Sequence, residues 1–232
     1  RHGVRAFTLN LQGGMPGYEG AVNSAFEPDG SLRPAYLARV QRVIEACDRH
    51  GAAVILGCFY QRQDQLLRDA DAVRAAVVNV AQWITRRGFT HVMLEIANEY
   101  GHRGFDHPIL KTHEGMAGLV RLAKRTAPRL LVSTSGTGIR GSFSAGFLEH
   151  VVPACDFLLI HLNTTPLAEV SARLAALPKL GKPVVCNEDE KVGAEGAQVA
   201  GICVEHRVSW GLMLAERNQH FPFTFSGAVD DA

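Results

Sequence analysis

Two short runs of the 232-residue chain place carboxylates where chemistry is done. The first is Leu94-Glu95-Ile96-Ala97-Asn98-Glu99-Tyr100. Read as a strand, its alternating side chains put Glu95, Ala97 and Glu99 on one face, Glu95 deeper and Glu99 at the end. Two acids on one apolar strand are costly to bury without partners, so they call for a pairing or a function. The second run is Lys182-Pro183-Val184-Val185-Cys186-Asn187-Glu188, followed by Asp189, Glu190 and Lys191. Alternation puts Val184, Cys186 and Glu188 on a common face and favours Glu188 or Glu190 over Asp189 as the inward acid. Glu95 reads as a buried structural carboxylate paired inside the fold, and Glu99 and Glu188 as the reactive pair. Carboxylates on two separate strand ends suit a double displacement at an anomeric carbon. One is protonated and serves the leaving oxygen, while the other is ionised and attacks, about 5–5.5 Å away.

The elements that must hold these residues alternate along the chain. Strand-like runs occupy Val4–Leu11, Ala53–Tyr60, His91–Ala97, Leu130–Thr134, Asp156–Leu162, Pro183–Asn187 and Val208–Leu214. Helical patterns fill Leu32–His50, Ala70–Arg87, Glu114–Thr126, Phe143–Val151, Pro166–Leu177 and Gly196–Glu205. Near-continuous apolar strands between amphipathic helices imply parallel strands covered by helices, in an open sheet or a closed barrel. The Gly-rich stretch Gln12-Gly13-Gly14-Met15-Pro16-Gly17 leads into a long loop, which argues against a nucleotide-binding sheet. No linker or repeat divides the chain, so residues 1–232 read as one catalytic domain.

In such folds the functional groups collect at the carboxyl ends of the strands. Those ends carry Asn10 and Gln12, Tyr60, Asn98 and Glu99, Ser133 to Ser135, His161 and Asn163, Glu188, and Glu216 to Asn218. His161 reads as a site residue or a satisfied core histidine. Trp210 is divided between a sugar platform and barrel packing. Tyr18, Tyr60 and Tyr100 are loop aromatics able to stack on or bond to a sugar.

Composition excludes other classes. With 24 basic and 23 acidic residues there is no electrostatic footprint for nucleic acid or an anionic membrane surface. No apolar run reaches the roughly 18–20 residues of a membrane helix. The five cysteines, Cys47, Cys58, Cys155, Cys186 and Cys203, form no CxxC pair and read as buried free thiols. No metal-ligand cluster shows at local spacing.

At this point the sequence resembles the clan A glycoside hydrolases, and most of all the family 5 (cellulase-type) barrels. Glu95-Ile96-Ala97-Asn98-Glu99 is similar to that family's E-x-x-N-E at the end of strand four, and Lys182-Pro183 with Glu188 to its strand-seven K-P-x-x-x-x-E. The resemblance implies a (β/α)8 barrel and cleavage of β-glycosidic bonds in an oligo- or polysaccharide, without a cofactor. It makes Glu99 the acid/base, Glu188 the nucleophile and Asn98 the partner of the sugar 2-hydroxyl. His161 resembles the strand-six histidine near the substrate, and Trp210 the strand-eight tryptophan. Tyr60, Asn163 and Asn10 join the expected substrate-binding set. The chain departs from the family pattern at Tyr100, where a Pro is usual, at Thr8 in place of an Arg, at Phe59-Tyr60 in place of a His, and at Asn163, where a Tyr is frequent. Matching Glu99 to strand four makes Val4–Leu11 the second strand. The expectation is therefore a barrel lacking its first strand and helix, with those elements upstream of Arg1. Two other functions fit the residues: a barrel that binds glycans without cleaving them, and a metal-dependent hydrolase or isomerase with Glu99, Glu188 and His161 as ligands.

Overall fold

The computed structural model describes residues 3–13, 23–136, 144–175, 177–214 and 218. Tyr18, Phe143 and Glu216 lie outside them. Among the described residues seven strands alternate with helices: β1 (Ala6–Asn10), α1 (Pro34–Arg49), β2 (Ala53–Phe59), α2 (Ala70–Arg86), β3 (Val92–Ala97), α3 (His113–Thr126), β4 (Val132–Ser133), α4 (Val152–Ala154), β5 (Leu158–His161), α5 (Leu167–Leu174), β6 (Val184–Glu188), α6 (Gly193–Glu205) and β7 (Val208–Ser209). A π-helical turn, Phe147–Val151, leads into α4.

The helices form for local reasons. In α1, Pro34 stands in the first turn, where its missing N–H costs nothing, and Leu37, Val40, Ile44 and Cys47 make one buried stripe. In α2 the Asp69 carboxylate caps the Ala72 N–H at 2.8 Å, and in α3 the Thr112 hydroxyl caps Gly115 at 3.1 Å. Every paired strand runs parallel, in the orders β1-β2-β3-β4 and β5-β6-β7. The two groups join edge to edge. Ser135 bridges Leu159, and the Ser133 hydroxyl donates to the Phe157 carbonyl at 2.5 Å. The Asp156 carboxylate accepts from Val132 N–H at 2.9 Å and is also engaged by Lys124.

The sheet has two apolar faces. Its outer face, with Val54, Leu56, Cys58, Leu94, Ile96, Ile160, Val184 and Cys186, packs under the helices. Its inner face carries a smaller cluster of Ile55, Phe157 and Leu159 with Met93 and Val185. This is the parallel α/β barrel expected, with strands covered outside and filled inside. All five cysteines are free and buried. The outer edge of β1 stands open among the described residues, with Val4 60% and Phe7 50% exposed.

Boundaries differ where the chain ends its pairing early. The strand expected over Val208–Leu214 pairs regularly only at Val208–Ser209, and Leu212 rejoins β6 through a single bridge to Asp189. The helix expected over Pro166–Leu177 stops at Leu174, and a separate 3₁₀ turn follows at Leu177–Leu180.

Candidate active site

The mouth of the sheet, at the carboxyl ends of β2 to β6, brings four of the expected residues together. His161, at the end of β5, has its Nδ1 3.2 Å from Glu99 Oε1 and 3.4 Å from Glu188 Oε2. The Asn163 amide donates to Glu188 Oε2 at 3.1 Å. One ligating atom each from Glu99, His161 and Glu188 lies within 4.8 Å of the other two. The trio could therefore hold a metal ion. The grouping escapes local spacing because three different strand ends supply it.

Neither acid reaches this point by simple alternation along a strand. β3 ends at Ala97, and Glu99 follows in a left-handed backbone conformation, φ 52°. That region is uncommon for a side-chain-bearing residue and must be imposed by its surroundings. The Glu99 N–H donates to the Ser135 hydroxyl at 2.9 Å, and Gln61 donates to Glu99 Oε2 at 3.1 Å. On β6 the shared face expected for Val184, Cys186 and Glu188 is corrected. Val184 and Cys186 pack outward under the helices, and a register shift pairs Ile160 with Cys186 but His161 with Glu188. The extra residue in β6 returns Glu188 to the inner side. Asp189 then turns outward and is fully buried; Lys191 Nζ and Trp210 Nε1 donate to its two oxygens at 2.7 and 2.8 Å.

For Trp210, read as either a sugar platform or packing, that network gives the packing contacts. The indole belongs to the layer between sheet and α6, bonded to Asp189 and close to Gly196. A buried carboxylate needs donors, and Trp210 is one of the two that hold Asp189. The other expected residues lie around the carboxylates. Asn98 is buried beside Glu99, its N–H donating to the Phe59 carbonyl at 3.0 Å. Tyr60 follows β2 directly, with its N–H held by Gln12 Oε1 at 3.0 Å. Asn10 sits one layer deeper, opposite Gly57, which in turn faces Glu95. A Cβ at Gly57 would stand 2.1 Å from Asn10 Oδ1, so only glycine admits the amide there.

Electrostatics follow from this crowding. Burial pulls the His161 imidazolium down, but its hydrogen bond to Glu99 and the charges of Glu188, Glu99 and Glu95 outweigh it, so the pKa is raised. Burial pushes the Glu188 carboxyl up, the Glu99 charge pushes the same way, and His161 and Asn163 pull back. Glu95 is fully buried and pushed up to about 7, chiefly by desolvation, with the Ser135 hydroxyl its one hydrogen-bond partner among the described residues. It is hydrogen-bonded inside the barrel, as expected, but by a neutral hydroxyl and not by a cation.

Sequence reasoning missed Gln61 and the part played by Ser135. Both follow apolar strands at the same mouth, which is the only signal either carried.

No family model matches the chain, and no curated protein matches it by sequence. Solved structures do. An endoglucanase of subfamily GH5-4, described as of broad specificity, from an uncultured bovine rumen ciliate superposes with a TM-score of 0.68 at 14% identity, over 98% of this chain and 78% of its own. Endoglucanase Cel5A from Thermotoga maritima gives 0.65 at 11% identity, over 98% and 81%. A glycoside hydrolase family 5 enzyme from Prevotella bryantii gives 0.62 at 12% identity, over 90% and 75%. At these identities the likeness establishes the fold: this chain folds like the barrels of glycoside hydrolase family 5.

Proposed function

We propose that the protein is a retaining glycoside hydrolase that cleaves β-glycosidic bonds in an oligo- or polysaccharide. One observation carries this reading: Glu99 and Glu188 converge from separate strands, with an oxygen of each within 4.8 Å of the other. So close an approach of two oxygens suits the roughly 5–5.5 Å between the carboxyl groups of a retaining site better than the roughly 6.5–9.5 Å that leaves room for a water in an inverting one.

Glu188 is the nucleophile. His161 and Asn163 both engage its Oε2, which leaves Oε1 to attack the anomeric carbon. Their contacts favour the ionised form that burial opposes. Glu99 gives its proton to the leaving oxygen as the glycosyl ester on Glu188 forms. It then takes a proton from the water that cleaves that ester. Asn98 and Tyr60, beside the carboxylates, and Asn10, from the layer beneath, are the proposed sugar-binding groups. The family pattern supports its nucleophile with an arginine on the second strand; here Thr8 takes that place, and Asn163 and His161, from the end of β5, contact Glu188. Because the structural neighbours are named as endoglucanases, β-linked glucans are the first substrates to test. No described helix is long and apolar enough to cross a membrane.

Incubation with carboxymethylcellulose, cello-oligosaccharides and aryl β-glycosides tests the reading. Hydrolysis is expected, unaffected by EDTA and lost in Glu99→Gln and Glu188→Gln variants that melt like the parent. Abolition by EDTA would favour a metal-dependent reaction at Glu99, His161 and Glu188. Saturable glycan binding with no hydrolysis would favour the non-catalytic barrel.

A further inference from the structure

The buried carboxylate beneath the site has work that the reaction above does not assign to it. Ser135 holds the turn carrying Glu99 at three points. Its N–H donates to the Ala97 carbonyl at 3.3 Å, its carbonyl accepts from Tyr100 N–H at 2.9 Å, and its hydroxyl oxygen accepts from Glu99 N–H at 2.9 Å. The hydroxyl has a single proton, and that proton goes to Glu95 Oε1 at 2.6 Å. With the proton so directed, a lone pair of the hydroxyl faces the Glu99 N–H. Without an acceptor at Glu95, the hydroxyl is free to rotate and release it.

Glu95 is an expensive way to fill this place. It is fully buried, its Oε2 has no partner among the described residues, and its strand neighbours Leu94 and Ile96 fill the outer core with plain apolar side chains. A carboxylate in such a position costs stability and persists where geometry depends on it.

We propose that Glu95 is a positioning residue: acting through the Ser135 hydroxyl, it fixes the left-handed turn that aims the Glu99 carboxyl at the glycosidic oxygen. The proposal rests on the reading of Glu99 as acid/base. It predicts a loss confined to substrates that need a proton on the leaving group. A sugar leaving group needs that proton; a 2,4-dinitrophenolate does not.

The experiment compares kcat/KM for cello-oligosaccharides with kcat/KM for a 2,4-dinitrophenyl cellobioside. In Ser135→Ala the oligosaccharide rate is expected to fall about 10- to 100-fold, as for a displaced catalytic group, while the activated glycoside stays within about threefold. Glu95→Met, which keeps length but offers no oxygen, makes the same prediction and stands in should Ser135→Ala fail to fold. Glu95→Gln keeps the acceptor and is expected to preserve the parental ratio of the two rates. Glu99→Gln is the reference and must show the split. If it does not, the reading of Glu99 as the acid fails, and the proposal with it. If Glu99→Gln splits the substrates but Ser135→Ala and Glu95→Met do not, or if Glu95→Gln is as impaired as Glu95→Met, the proposal alone is overturned.

Discussion

The two acid-bearing strand ends solve one problem by different means. At the end of β3 the strand stops at Ala97, and Glu99 is delivered by a left-handed turn held from β4 through Ser135. At the end of β6 the strand continues, and a register shift inside it brings Glu188 round to the same side. The surplus charge is handled differently too. Beneath Glu99, Glu95 is buried against a hydroxyl, and desolvation pushes its pKa up to about 7. Beside Glu188, Asp189 is buried against a lysine and an indole N–H. The first end places its acid by hydrogen-bonded geometry at the cost of a raised carboxyl. The second places its acid by backbone irregularity and neutralises the neighbour with a cation.

The largest effects are expected at the acids themselves. Glu188→Gln is expected to lower kcat by about 10³-fold or more on every substrate, and Glu99→Gln by about 10²–10⁴-fold on substrates with sugar leaving groups only. Equal losses on activated and unactivated glycosides in both variants would erase the division of roles.

Next in size is the charge pair behind β6. Asp189→Leu strands Lys191, which is 7% exposed, and should cost about 3–5 kcal/mol in urea unfolding. The activity of the molecules that remain folded should change little. A loss of activity without a loss of stability would put Asp189, not Glu188, at the reaction centre.

Glu95 gives the opposite signature, a dependence on pH. Its folded pKa lies near 7 against an ordinary 4.5, so its contribution is fully present below about 4.5 and is lost as pH rises through 7. His161, also raised, acts in the same direction. Glu95→Gln should therefore be the more stable protein at pH 8, by on the order of 3 kcal/mol, and lose that advantage toward pH 4.5. Parallel stability–pH curves for parent and variant would show that Glu95 does not titrate in this range.

The smallest effect expected is at Trp210. Trp210→Phe removes one hydrogen bond to the buried Asp189 and should cost about 1–2 kcal/mol with kcat/KM unchanged. A large rise in KM at unchanged melting temperature would restore the sugar platform.

Much of this was legible in the sequence. The alternation of apolar runs and amphipathic stripes gave seven strands and the helices between them, because those patterns report burial directly. Polar residues at strand ends pointed to Glu99, Glu188, His161 and Asn163. What stayed hidden depends on neighbours distant in sequence. Alternation assigns Glu188 to the face of Val184 and Cys186, and only the pairing of β6 with β5 reveals the extra residue that reverses it. The left-handed turn at Glu99 is stabilised from Ser135, 36 residues away. Trp210 stayed divided between a sugar platform and packing because nothing local says that Asp189, 21 residues earlier, is buried and needs a donor.

In the proposed reaction Glu188 attacks and Glu99 assists. Trapping tests it: the chain is incubated with a 2-deoxy-2-fluoro-β-cellobiosyl fluoride, whose 2-fluorine slows both formation and hydrolysis of the ester while its fluoride leaving group keeps formation fast enough for the ester to accumulate, and the digest is sequenced by mass spectrometry. One sugar per chain is expected, on the peptide bearing Glu188 and at that residue, with turnover lost in step. A label on Glu99, Glu190 or another side chain, or sustained cellobioside hydrolysis with no label, would contradict it.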